Sequence, residues 1–160
     1  MARNRSKNKS EFGSYAAKPH CIFRADTRAG KSSIASTLSP KAFVLLDNLI
    51  SQYKGDNNGD LTAAKKILTL YGWSQSNSAI DKAKYELLAK GFIQQTRQGG
   101  KNKASLYAVT WINIDECSGK LDVPPTSKAS NLWKPENAQH IDKRWIEAWN
   151  KIKPLPPIEG

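Results

Sequence analysis

Ser76-Asn77-Ser78-Ala79-Ile80-Asp81-Lys82-Ala83-Lys84-Tyr85-Glu86-Leu87-Leu88-Ala89-Lys90-Gly91-Phe92-Ile93 is the stretch on which the fold turns. Ile80, Ala83, Leu87 and Leu88 recur at helical spacing and predict one apolar face over Ser76–Lys90. Gly91 follows directly, in the position where a left-handed residue stops a helix. Phe92 to Arg97 then reads as a strand. The loop Gln98-Gly99-Gly100-Lys101-Asn102-Lys103-Ala104 separates it from Ser105–Ile112, which is rich in branched and aromatic residues and strongly β in character.

Upstream, Ser39-Pro40 is an N-cap followed by a proline in the first turn. Ala42, Leu45, Leu46, Leu49, Ile50 and Tyr53 form its apolar stripe, and Gly55 ends the helix. Gly55-Asp56-Asn57-Asn58-Gly59-Asp60 is a turn of residues that tolerate positive φ. Leu61-Thr62 predicts a short strand. Ala63, Ile67, Leu70 and Tyr71 predict the inward face of a helix that Gly72 stops, and Trp73-Ser74-Gln75 is the tight connection onward. The order is helix, short strand, helix, turn, helix, strand, glycine-basic loop, strand.

Leu61–Ile112 resembles a winged helix-turn-helix domain. Ala63–Tyr71 matches the first helix of the motif, Gly72-Trp73-Ser74 the turn and Ser76–Lys90 the recognition helix. Glu86-Leu87-Leu88-Ala89-Lys90-Gly91-Phe92-Ile93 is similar to the stretch by which many winged-helix repressors enter their wing. More narrowly, Asn57-Asn58-Gly59 and Tyr107-Ala108-Val109-Thr110-Trp111 look like a group of small proteins from phages, plasmids and integrated elements. The resemblance covers about residues 38–114 and implies an α+β fold: a three-helix core plus a β-hairpin wing. One departure is the spacing from Gly72 to Ile80, about two residues longer than in a compact motif, which moves the expected start of the recognition helix toward Ser78.

The flanks differ in character. Residues 1–37 read as a basic, largely disordered arm, with Arg3, Arg5, Lys7 and Lys9 able to track a minor groove. Within it, His20-Cys21-Ile22-Phe23-Arg24 predicts a short edge strand. Gly30-Lys31-Ser32 lacks the first glycine of a phosphate-binding loop, since position 25 is Ala25. Residues 115–134 read as a linker rich in Pro, Ser and Thr. Residues 135–153 predict one amphipathic helix carrying Ile141, Trp145, Trp149 and Ile152 on a single stripe, followed by a Pro-rich tail at 154–160. Such a stripe docks on its own domain, forms a dimer seam or receives a partner.

Charge points the same way. The chain of 160 residues carries 25 Lys and Arg against 14 Asp and Glu, a net +11. Residues 1–38 hold eight basic and two acidic residues, 39–114 ten and five, 115–160 seven of each. An excess confined to the first two pieces favours a polyanion, nucleic acid before membrane; a charge that serves only solubility is the alternative.

The length excludes a barrel of about 250 residues, and no apolar run approaches the roughly 20 residues of a membrane span. Two cysteines, Cys21 and Cys117, make neither a four-cysteine metal site nor a disulfide framework. His20 and His140 stand isolated, so no metal, cofactor or catalytic centre is expected, and the chain reads as cytoplasmic.

The expected partner is double-stranded DNA, read selectively in control of transcription or replication of a mobile element. Gln75, Ser76, Asn77 and Ser78 would meet base edges with the helix N-terminus, and Lys82 would reach guanine or phosphate. Arg97, Gln98, Lys101, Asn102 and Lys103 would form the wing contact, with Gly99-Gly100 allowing close approach of the backbone. For each group the alternative is ordinary capping or a solvated hairpin tip. Trp73, Phe92, Tyr107 and Trp111 read as core rather than as stacking platforms. A rival of another class is a phage-encoded module that blocks a host protein through the Trp145–Trp149 stripe. Common to the DNA reading is the expectation that Ser76–Lys90 and the hairpin present their cations on one open side.

Overall fold

Pro40–Gln52 anchors the molecule because its stripe is buried as a unit: Ala42, Leu45, Leu46, Leu49 and Ile50 all lie in the core. Ser39 caps it, its hydroxyl accepting from the Ala42 amide, and Pro40 presets the first turn. The computed structural model describes residues 15–74 and 76–157. In chain order, these contain α1 (His20–Phe23), α2 (Pro40–Gln52), β1 (Leu61–Thr62), α3 (Lys65–Leu68), α4 (Asn77–Ala89), β2 (Ile93–Arg97), β3 (Leu106–Val109) and α5 (Lys143–Ile152). Short 3-10 turns lie at Ile34–Thr37, Thr69–Tyr71, Cys117–Gly119 and Pro135–His140. The architecture is α+β, with one small antiparallel sheet in the order β1-β3-β2. No helix among the described residues is long and apolar enough to cross a membrane.

The sheet is stapled to the turn before β1 by Asn58. Its buried amide donates to the carbonyls of Val109, Ile112 and Asn113, and its side-chain oxygen accepts from the Val109 amide. One side chain thus satisfies the backbone groups that β3 releases as it ends, groups that would be costly to bury unpaired. Leu61 pairs with Tyr107, and Ile93 with Val109, so β3 is the central strand.

α4 packs Ile80, Ala83, Leu87 and Leu88 inward, as its spacing predicts. Gly91 is demanded twice over. Its φ is +77°, and a Cβ there would sit 2.3 Å from the Leu132 carbonyl oxygen. Phe92 and Tyr107 are buried, while Trp73 and Trp111 are partly buried against the core.

Four expectations are corrected. The arm over 1–37 is packed along part of its length: Ile22 is fully buried, and Ala35 is buried too. His20–Phe23 is a helical turn, not an edge strand, because Phe23 wedges edge-on against Phe43 and Trp111, at 5.9 and 5.7 Å between ring centres. α3 is shorter than Ala63–Tyr71 and rotates its end outward: Ala63 and Leu68 are buried, but Leu70 is 82% exposed and Tyr71 also faces solvent. The helix expected over 135–153 is broken. Pro135–His140 is a 3-10 turn, Ile141 is extended (φ −68°, ψ 132°) and 7% exposed, and Asp142 caps a separate α5 by accepting from the Arg144 amide.

Candidate nucleic-acid interface

The first turn of α4 is bare. Ser76 has the extended backbone of an N-cap but makes no capping bond; its hydroxyl lies 3.0 Å from that of Ser78. Ser76, Asn77 and Ser78 are exposed, and among the described residues no side chain caps the amides of this turn. Such a helix end favours an anion. The nearest carboxylate on the helix, Asp81, is bound to Lys84 at 2.7 Å. Burial pulls the Lys84 pKa down, but the Asp81 bond and nearby charges more than offset this, so it rises and Lys84 keeps its charge beside Asp81. Lys82, one turn in, is exposed and forms no ion pair among the described residues. Gln75 lies outside the described residues, as do Arg3, Arg5, Lys7 and Lys9.

The hairpin between β2 and β3 is closed by Gly100 and Lys103, which exchange both backbone hydrogen bonds at 2.9 and 3.1 Å. Lys101 and Asn102 occupy its apex, Asn102 in the left-handed region at φ 58°. Lys101, Asn102 and Lys103 are exposed. Buried Tyr107 of β3 lies within electrostatic reach of Lys84, Asp81 and Tyr85. Ile93, at the start of β2, shares a cleft with Leu88 near the end of α4. The strands of the hairpin therefore run back along α4, from beside Leu88 toward Lys84 and Asp81, in the direction of the helix's first turn.

Not every expected contact residue is free. The Arg97 guanidinium donates from Nε and Nη2 to the Ala104 carbonyl, at 3.1 and 2.8 Å, bracing the hairpin. The Gln98 amide donates to the Asp122 carboxylate at 2.7 Å, while the Asp122 amide donates to Thr96. The 115–134 linker thus returns a carboxylate to the base of a hairpin whose own sequence holds none. Gly99 serves close strand approach rather than a ligand, since a Cβ there would lie 2.6 Å from the Ser105 amide nitrogen. Gly100 alone of the pair faces open space.

The largest correction concerns the outward side of α4. Ile80, Ala83 and Leu87 mark the core side. α5 lies across the opposite side, over the second half of the helix. Ile141 adjoins Leu88. Trp145 stacks on Tyr85 at 5.9 Å and 26° between planes. The Lys90 ammonium sits 5.8 Å from the Trp149 ring centre. Arg144 covers the outer face of Trp145 at 4.5 Å and reaches Gln95 of β2 at 3.3 Å. The stripe Ile141, Trp145, Trp149 thus packs on α4 of the same chain, and Ile152, 39% exposed, trails off it. The expectation of an open side along all of Ser76–Lys90 fails; only its first turn and Lys82 remain uncovered.

Glu86 is the residue that periodicity overlooked. It is 2% exposed and accepts from the Ser39 amide at 2.8 Å, the Ser39 hydroxyl at 2.5 Å and the Lys90 ammonium at 2.8 Å. Burial pushes its carboxyl up, yet these hydrogen bonds prevail and hold it below the usual carboxylate range. It ties the start of α2 to the end of α4. The only signal in the sequence is an acid among the inward positions of an amphipathic helix.

Compared with protein-family models, with curated proteins and with solved structures, the chain gives no significant match.

Proposed function

We propose that the chain is a winged-helix protein that binds double-stranded DNA, in control of transcription or replication of a mobile element. The observation that carries this is a helix terminus without a side-chain cap from Ser76, with Asn77 and Lys82 exposed, and a hairpin that runs back along the same helix to an exposed apex bearing Lys101, Asn102 and Lys103. In this reading α4 enters the major groove end-on. Asn77 offers the bidentate donor and acceptor that adenine accepts, and Ser76 and Ser78 offer hydroxyls to base or phosphate. The hairpin lysines lie against the adjoining backbone or minor groove. Arg97 braces the hairpin through Ala104, while Gln98, whose backbone amide is held by Asp122, keeps an exposed side chain for the contact. The rival, a host-protein contact through the Trp145–Trp149 stripe, puts the contact on a face that here packs against Tyr85 and Lys90 of α4.

The test is binding to random-sequence duplex across a salt series. Each phosphate contact contributes about 0.9 to the slope of log affinity against log salt. Lys101→Ala with Lys103→Ala therefore weakens binding to every duplex and flattens the slope by up to about two units. An absence of duplex binding at low salt would sink the reading.

A further inference from the structure

We infer that α5 is a displaceable cover on α4, and that engaging a duplex lifts it off with Ile141 as the pivot. The inference rests on the reading of α4 and the hairpin as a DNA-binding end.

Position comes first. A helix in a groove presents the side turned away from its own core, and α5 occupies that side from Leu88 through Tyr85 to Lys90. With α5 seated, a duplex reaches only the first turn and Lys82. With α5 lifted, Tyr85, Ala89 and Lys90 come into reach, which extends the helical reading surface past its end.

The grip is the second point. None of the residues of α5 is fully buried. Across to α4 and β2 its polar and aromatic hold is one ring stack, the Lys90–Trp149 contact and the hydrogen bond from Arg144 to Gln95, the last of these exposed. Beside Trp149 a cleft of about 690 Å³ opens between Pro154, the start of α2 and the face of α4 bearing Ala79, Lys82 and Ala83. The cleft opens to solvent, so on that flank Trp149 is bordered by the groove and not by packed side chains.

The third point is the joint. Ile141 is buried and anchored, and its backbone is extended, so the chain already changes direction there. Asp142 caps α5 from within, by accepting from the Arg144 amide, and pairs with the Arg144 guanidinium at 2.8 Å. The cap and its partner travel with the helix, so α5 moves as a unit without losing its first turn.

The test uses the full chain with random-sequence duplex as the probe. Hydrogen exchange is followed with and without duplex. The expected result is loss of protection at the α5 amides together with gain of protection in the 97–106 hairpin. In parallel, the full chain carrying Trp145→Ala and Trp149→Ala binds the same duplex about tenfold more tightly, because the covered state no longer competes with the bound one. If the hairpin gains protection while α5 keeps or increases its own, or if the double variant binds equally or more weakly, α5 is a fixed part of the surface; the cover is then refuted and the DNA-binding reading stands. If neither protein binds duplex, both are refuted. Should the double variant not fold, exchange on the unaltered chain decides alone.

Discussion

The two ends of α4 are built to opposite specifications. At its C-terminal end every group is engaged. Glu86 joins Ser39 to Lys90, Gly91 lies against Leu132, Tyr85 is stacked and α5 is laid over the top. At its N-terminal end the cap is unmade and the side chains face water. A helix optimised for stability would be capped at both ends, since a missing N-cap bond costs about 1 kcal/mol. Forgoing that bond at the end toward which the hairpin strands run is what stability alone does not explain. Natural proteins break local rules where a site requires it.

The sharpest way to test the contrast is to break the engaged end. Glu86→Ala leaves the Ser39 amide and the Lys90 ammonium without their shared partner in a buried setting. Deleting one member of a buried pair costs several kcal/mol, and the partial exposure of Lys90 reduces this to about 2–3 kcal/mol. Urea unfolding monitored by tryptophan fluorescence reads the loss. Duplex affinity of the folded fraction stays unchanged, because the bare turn lies at the other end; a folded Glu86→Ala protein that no longer binds would show the two ends to be one cooperative unit.

The same carboxylate gives a pH signature. Its folded pKa lies below the ordinary value of 4.5, so its stabilisation is present above that value and is lost as the pH falls through the folded pKa. Acidification from neutrality past 4.5 therefore lowers the melting temperature of the unaltered chain more steeply than that of Glu86→Gln. Parallel curves for the two proteins would mean that Glu86 is not held ionised by Ser39 and Lys90.

What the sequence made legible follows the same division between local and distant effects. The stripes of α2 and α4, the stop at Gly91 and the two hairpin strands are local periodicity and turn chemistry, and those readings match the buried residues. Periodicity reports that a face is covered but not by what. Ile141, Trp145 and Trp149 announce a docked stripe, and nothing in their spacing says that it docks on the outward side of α4. The return of Asp122 to the hairpin and the bracing of Arg97 by Ala104 depend on where a loop without regular structure passes, which no spacing encodes. Leu70 and Tyr71 fit a helical repeat yet face solvent, because the backbone tightens to 3-10 after Leu68 and rotates them off the core side. His20–Phe23 is too short for either period to be told apart.

The smallest expected effect separates stability from function most cleanly. Ser76 has the backbone of an N-cap (φ −75°, ψ 114°) and a side chain that does not use it. Aspartate is among the best residues at that position, and its charge also suits the positive end of the helix dipole. Ser76→Asp therefore stabilises the fold by about 0.5–1 kcal/mol, read as a rise in the urea midpoint. The same carboxylate stands where a phosphate or a base edge would approach, in a turn that otherwise carries no acid. Duplex affinity accordingly falls while stability rises, and the fall is steepest at low salt, where repulsion is least screened. A structural reading of the turn, with no ligand, predicts the stability gain alone. A variant that is stabler and binds duplex as tightly as the unaltered chain would take α4 out of the interface and leave the hairpin to carry the binding by itself.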